Sequence, residues 1–356
     1  MRKEYKMEEL KINETPVRTS QNFNANNITI KDVIIPEQIK EFNNISIKNN
    51  NIKIEENLSN INLSYGIGER LIEQIRKQSN KKIKIDVKEN ITEQIEFKFD
   101  KNNSELVENI EIIANENSIS TIILKYETEE DIEAWHNGLI RIFAKSNSKI
   151  KVVFINLMNT KSHSFISIEN NIEENANVDY TVVDFGGKNS ITNYYTNILG
   201  DNGNNTIDTI YLGKEEQLFD LNYIVELRGK KSNVNIEVQG ALKDNARKHF
   251  KGTIDFKRGC KKAKGNENEN CMLLSDTAKS LALPMLLCSE EDVEGNHSSS
   301  AGKIGEKELF YIMSRGFELK EALKLMVRAK FNKILEKISD EELKEQILKE
   351  IDDRLE

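Results

Sequence analysis

Hydrophobic and polar positions change their period along the chain, and the changes separate different kinds of structure. Over residues 83–287 the period is two. Ile83, Ile85 and Val87 alternate with polar neighbours, as do Ile95, Phe97 and Phe99, then Val152, Phe154, Ile166, Ile168, Tyr180, Val182, Val234, Ile236, Val238, Ile254 and Phe256. Such alternation puts successive side chains on opposite faces of a strand. The turns between are rich in Asn, Asp and Gly, as at residues 186–189 (GGKN) and 200–205 (GDNGNN). These residue types tolerate left-handed backbone and bond their own main chain. The pattern predicts an all-β block.

A β-sandwich, an up-and-down barrel and a β-helix all answer to that description. Two features favour a β-helix: no block of long helices is present to cover a parallel α/β sheet, and the unit of strand, Asn/Gly corner and strand recurs throughout. In stacked coils, Asn repeated at one corner forms side-chain ladders.

Outside this block the pattern differs. Residues 1–12 are helix formers with weak amphipathicity, ending at Asn13-Glu14-Thr15-Pro16, and residues 22–62 alternate Asn with Ile in pieces that read as brief strands or extended linker. Residues 68–78 place Leu71, Ile72 and Ile75 at helical spacing. From Gly305 the period becomes 3.6. Residues 306–315 predict one helix, with Gly316 at the left-handed position after it. A second carries Leu319, Leu323, Met326, Val327, Phe331, Ile334 and Ile338 as one stripe. Ser339-Asp340-Glu341-Glu342 reads as a capping box for a third, with Leu343, Ile347, Ile351 and Leu355 facing inward. The division expected is 1–82 helical and extended, 83–303 β core, and 304–356 helical.

Composition narrows the function classes. A formal charge of −8 gives no reason to expect nucleic acid. No apolar run is long enough for a membrane span, and the first residues lack the apolar region of a secretory signal. Three cysteines, Cys260, Cys271 and Cys288, are an odd number that argues against a disulfide framework. A cytoplasmic protein with free thiols is expected.

Several words in the last third resemble the SufB/SufD family of iron–sulfur cluster assembly scaffolds. They are Met272-Leu273-Leu274-Ser275, Pro284-Met285-Leu286, Asp292-Val293-Glu294-Gly295-Asn296-His297 and, most specifically, Leu309-Phe310-Tyr311-Ile312-Met313-Ser314-Arg315-Gly316. Ala134-Trp135-His136-Asn137-Gly138, Gln217 with Asp220, and Gly252-Thr253-Ile254-Asp255 also fall where the family has similar words. The resemblance covers most of the chain from about residue 64. It implies a mainly β fold with a right-handed parallel β-helix core and a C-terminal helical domain. It also implies a non-catalytic scaffold, nearer SufD, that pairs with a SufB-like subunit and docks a SufC-like ABC ATPase through its helices. Phe310, Arg315, Gly316, Leu323, Val327 and Phe331 are then the partner-binding candidates.

The resemblance marks two candidate metal ligands for a transient iron–sulfur cluster at a subunit interface. His297, read as lying in a polar Ser-rich loop, corresponds to the family histidine implicated in cluster formation. Cys271 is the best thiol, a soft ligand for iron. The functional SufB cysteine aligns two residues earlier, at Glu269, an offset that keeps the same face of a strand. SufB has a glutamate directly after the histidine where this chain has Ser298, and SufD often has a cysteine where Gly295 stands. The expected site is therefore one half of a shared one. Cys288 is expected in the core, and the spacing of Cys260, Cys271, Cys288 and His297 makes a poor zinc motif.

No phosphate loop is present, since Gly66-Ile67-Gly68 lacks a following Gly-Lys-Ser/Thr; nucleotide is expected only in a partner. Between residues 318 and 337 six Lys/Arg stand against three Glu, which suits either a partner groove or a solvated face. Two other functions remain open: a self-associating scaffold that works as a homodimer without SufB, and a β-helix carbohydrate enzyme using carboxylates such as Glu129-Glu130-Asp131.

Overall fold

The computed structural model describes residues 8–18, 25–48 and 57–356. The start of the expected first helix (residues 1–7) and part of the Asn/Ile region (22–24 and 49–56) lie outside the described residues. Where residues 8–12 are described they form a strand, not a helix. That strand, β1 (Glu8–Ile12), pairs antiparallel with β2 (Ile28–Val33). Its Leu10 and Ile12 are buried with Ile28 and Ile30. Tertiary burial outweighs a modest local helix propensity here.

Helix α1 (Glu69–Gln78) forms as the spacing predicts, burying Leu71, Ile72 and Ile75. Beyond it the chain winds as a parallel β-solenoid, two strands to a coil. One sheet stacks eight strands: β4 (Lys81–Val87), β6 (Glu105–Ala114), β8 (Trp135–Ala144), β10 (His163–Ile172), β12 (Asn189–Ile198), β14 (Leu218–Leu227), β16 (Arg247–Phe256) and β18 (Lys279–Cys288). The other stacks β5 (Ile91–Phe99), β7 (Ile119–Thr128), β9 (Lys149–Leu157), β11 (Asn177–Asp184), β13 (Asn204–Gly213), β15 (Asn233–Leu242), β17 (Ala263–Leu273) and β19 (Val293–Lys303). A short antiparallel strand, β3 (Ile45–Ile47), edges the second sheet at β5. Every other ladder in the two sheets is parallel, which excludes the sandwich and the up-and-down barrel.

One column of corners uses left-handed backbone, with Asn at several of its positions. Asn117, Asn147, Asn175, Asn202, Lys231 and Lys262 have positive φ, between 54° and 62°. Each donates its N–H to a carbonyl of the next coil, Asn147 to Glu174 and Asn175 to Asp201, both at 2.9 Å. In the middle of the column the amides join directly, Asn175 Nδ2 to Asn147 Oδ1 at 3.2 Å and Asn202 Nδ2 to Asn175 Oδ1 at 3.1 Å. Asn is the non-glycine residue best suited to this conformation.

Among the described residues three apolar cores result. The first fills the lumen, with Ile85, Phe97, Ile112, Val152, Ile168, Leu221, Val234 and Phe250 among its members. The second lies under β1, β2 and α1, against Trp135, Leu139, Phe165 and Ile191 on the outer face of the eight-stranded sheet. The third joins the outer face of the other sheet, through Val153, Ile155, Phe185 and Ile210, to the C-terminal helices. Both faces of the middle strands are thereby covered, as parallel sheets require. The N-terminal hairpin is pinned by Asn13, whose Nδ2 donates to Thr192 O at 3.0 Å while its carbonyl accepts from Lys251 Nζ at 2.8 Å.

The helices are α2 (Glu306–Ser314), α3 (Leu319–Leu335) and α4 (Glu341–Leu355). Gly316 follows α2 at φ 97°, as its position predicts. Asp340, one residue beyond the expected Ser339, caps α4 by accepting from Leu343 N at 3.0 Å. Leu343, Ile347, Ile351 and Leu355 face inward.

Candidate functional site at the end of the solenoid

Strands β18 and β19 end their sheets, and among the described residues no strand stacks beyond them. His297 therefore does not sit in a loop. It lies in the middle of β19, a polar strand that pairs on one side only. The Ser-rich sequence hides this, since its residues do not alternate with apolar ones.

The direction of the imidazole follows from its neighbours. A side chain added at Gly295 would meet Phe256 and Leu286, which belong to the lumen core, and Ser299 Oγ donates to the lumen residue Glu269 at 2.8 Å. Residues two apart on a strand share a face. His297 thus faces the lumen, yet it is exposed because nothing covers it.

The coil beneath is polar. In register with β19, Glu267 lies under His297, Glu269 under Ser299 and Cys271 under Ala301. Glu269 is fully buried and accepts from Lys248 Nζ at 2.6 Å and from the Tyr211 hydroxyl at 3.3 Å. Glu267 is 2% exposed, and neither of its carboxylate oxygens has a hydrogen-bond partner. Burial, with the charge of Glu269 adding to it, pushes its carboxyl up to about 8. The end of its side chain crosses to the opposite sheet, where a Cβ on Gly252 would fall 2.1 Å from Oε2.

Cys271 faces the same lumen and is buried. Burial raises its pKa, although Lys248 works against the shift. The sequence also placed Cys288 in the core, whereas the structure exposes it at the end of β18; its thiol donates to Glu290 O at 2.9 Å. Cys260 is buried, its thiol pushed up to about 11.

His297 and Cys271 are not brought to one point. Four strand positions separate Cys271 from the residue under His297, about 13 Å at the rise of a strand. One metal ion does not span that distance. Among the described residues no three His, Cys, Asp or Glu side chains converge as a metal site.

The helical candidates divide into two groups. Val327 and Phe331 are fully buried, with the Phe331 ring 6.3 Å from that of Phe185, so they fasten α3 to the solenoid and are not free for a partner. Leu323 is half-buried. By contrast α2 buries no residue at all. Phe310 is 74% exposed, and Tyr311, Met313, Phe317 and Leu319 are exposed beside it. The Arg315 guanidinium lies 5.0 Å from the Tyr311 ring centre and donates to its hydroxyl at 3.0 Å, which stiffens the end of this apolar patch.

Two other constellations are accounted for by the fold. Glu108, His136 and Tyr126 form a closed cluster deep in the lumen, with Glu108 Oε1 3.1 Å from His136 Nε2 and 2.6 Å from the Tyr126 hydroxyl. Glu129, Glu130 and Asp131 each pair with a surface lysine (Lys98, Lys101 and Lys161), so they are not a convergent carboxylate pair.

Residues 97–330 match the family model for the SufBD core domain of the SUF iron–sulfur cluster assembly system. The chain belongs to the SufBD family. It is 23% identical to the iron–sulfur cluster assembly protein SufD of Bacillus subtilis, over 70% of this chain and 58% of that one. SufD of Escherichia coli is likewise 23% identical, over 67% and 57%. An iron–sulfur cluster assembly SufBD family protein of Pyrococcus horikoshii is 28% identical over 54% and 43%. The chain spans about half the length of these SufBD relatives. No described helix is long and apolar enough to cross a membrane.

Sequence reasoning missed Glu267, Glu269, Lys248 and Tyr211. Alternation in GNENENC was the available signal, because every second residue from Gly265 to Cys271 faces the lumen. Without the register, the Asn and the Glu positions look equally suited to solvent.

Proposed function

We propose that this chain is a SufD-like, non-catalytic scaffold subunit of a cytoplasmic iron–sulfur assembly complex. On this proposal it divides into an N-terminal region (1–82), a β-helix core (83–303) and a helical domain (304–356). The end of the core pairs with a SufB-like scaffold, and α2 with the start of α3 docks a SufC-like ABC ATPase. Iron and sulfide are the cargo, and His297 contributes a ligand at the shared edge. Cys271 is a less direct contributor, being buried and set apart from His297.

The observation that carries this is the position of His297. It faces the lumen from the last strand, with its open side turned to whatever covers the solenoid end. A single imidazole is too little for a stable cluster, so the remaining ligands come from outside the chain. The exposed Phe310 patch supplies a second surface, with aromatic residues of the kind that anchor interfaces.

Co-expression with SufB-like and SufC-like subunits from one genome tests the proposal. The expected result is a ternary complex, from which Phe310→Asp releases the ATPase and not the scaffold partner. A chain that stays alone with both partners in excess would refute it. The self-associating alternative draws on the same uncovered β19 edge, which a second copy could meet. It predicts a homodimer that takes up iron and sulfide anaerobically without SufB and loses them in His297→Ala.

A further inference from the structure

The column of left-handed corners changes its residue type toward the β19 end. Four stacked corners place Asn at the positive-φ position, at 117, 147, 175 and 202; the next two place Lys231 at φ 54° and Lys262 at φ 62°. Asn tolerates this conformation because its short amide bonds nearby main chain, and the long side chain of Lys gains nothing comparable. Stacking does not ask for the exchange, since Lys231 N donates to Lys261 O at 2.9 Å just as Asn202 N donates to Lys230 O at 2.8 Å. The same two corners gather charge. Residues 228–232 (RGKKS) and 257–262 (KRGCKK) hold seven Lys and Arg and no Asp or Glu.

Most of these cations are unanswered. Arg228 and Lys257 pair with Glu226, and Lys257 also with Asp255. Lys230, Lys231, Arg258, Lys261 and Lys262 are exposed, and among the described residues none of them has a carboxylate partner. In the corners on either side the carboxylates bond main chain instead: Asp201 Oδ1 accepts from Lys230 N at 2.8 Å and Glu290 Oε2 from Gly259 N at 2.9 Å. Stacked coils lie about 4.8 Å apart, so like charges stand over one another in the two corners. Backbone conformation and charge crowding both work against the fold here. An anionic partner relieves the second.

The surroundings decide which anion fits. The basic strip is two coils deep, with Asp201 in the corner before it and Glu290, Glu291 and Asp292 in the corner after it, so a long polyanion running along the column would meet carboxylates at both ends. Neither basic corner contains an aromatic residue on which a base could stack. An extended run of three or four acidic residues, about 10–14 Å long, is sufficient to cross both corners. We propose that this strip docks a short acidic segment of a partner protein, held by the exposed heads of Lys230, Lys231, Arg258, Lys261 and Lys262. Such docking does not depend on the scaffold function proposed above.

The test is fluorescence anisotropy of a labelled hexaglutamate peptide titrated with the purified full chain. Saturable binding that weakens as salt rises is expected. Lys231→Asn combined with Lys262→Asn should weaken it on the order of tenfold. The same double variant should raise the urea midpoint, because Asn suits both left-handed corners better than Lys. Loss of binding together with a gain of stability separates a docking role from a structural one. Lys82→Asn combined with Lys88→Asn removes the same charge from exposed positions elsewhere and should leave the affinity unchanged. No saturable binding, an equal loss in the two double variants, or a lower urea midpoint in Lys231→Asn with Lys262→Asn would each overturn the proposal. So would tighter binding of a single-stranded oligonucleotide of equal charge, which would reassign the strip to nucleic acid.

Discussion

Lys248 and Glu269 meet across the lumen from opposite sheets, 2.6 Å apart and both fully buried. Breaking such a pair leaves an uncompensated charge in the interior, which costs about 3–5 kcal/mol, whereas replacing both partners with apolar groups is often neutral. Lys248→Met alone should therefore lower stability by several kcal/mol, because Glu269 keeps only the Tyr211 and Ser299 hydroxyls. Lys248→Met with Glu269→Leu should recover most of the loss. Urea unfolding of the two singles and the double checks this; a Lys248→Met chain as stable as the parent would contradict it.

Stability should fall as pH rises toward 8. Glu267 is pushed up to about 8 and Asp184 to about 7, in each case chiefly by burial, while carboxyls in an unfolded chain titrate near 4. Across that interval the folded chain holds protons that the unfolded chain has released, so the slope of unfolding free energy against pH is negative. The contribution is complete below about pH 4 and is lost as pH passes through the folded values. It amounts to something on the order of a few kcal/mol for a group shifted this far. Glu267→Gln removes one titrating group and should flatten the fall between pH 6 and 8, with Asp184 still contributing. Urea midpoints at several pH values decide it; an unchanged slope in the variant would refute the assignment to Glu267.

The two predictions concern residues that the sequence hid, and the reason is physical. The choice of a β-helix over a sandwich or barrel rested mainly on the family resemblance, whereas period-two alternation made the β block legible, because it is a local consequence of strand geometry. The stripes of α3 and α4 were legible for the same reason. Which face of GNENENC points inward depends on stacking against β15 and β19, which no local pattern contains. His297 was misplaced in a loop because β19 pairs on one side only and needs no apolar alternation. Residues 8–12 became a strand through pairing with residues 28–33, a contact made across the chain.

Exposure separates Phe310 from Phe331, although both lie in the stretch that carried the partner expectation. Phe331 is fully buried in the core joining α3 to the solenoid, and truncation of such a ring costs about 3–5 kcal/mol. Phe310 is 74% exposed, so its truncation should change stability by less than about 0.5 kcal/mol. Thermal unfolding of Phe331→Ala and Phe310→Ala in the isolated chain measures both. A large loss in Phe310→Ala would mean that α2 packs against this chain and is not a free surface.

At Asn175 the backbone, and not the amide ladder, should carry the energy. The residue sits at φ 55°, where a Cβ is crowded, and its side-chain bonds to Asn147 and Asn202 are solvent-exposed. Left-handed geometry costs a non-glycine residue about 1–2 kcal/mol, and Asn is relieved of part of that cost. Glycine removes the ladder and keeps the conformation without strain, although it adds freedom to the unfolded chain. Asn175→Gly should therefore cost less than about 1 kcal/mol. Asn175→Ala should cost more than the glycine variant, and Asn175→Val more again, since a branched side chain fits this region worst. Chemical denaturation of the three variants gives the ranking. If glycine proves as damaging as alanine, the side-chain ladder and not the left-handed corner is what holds the coils in register.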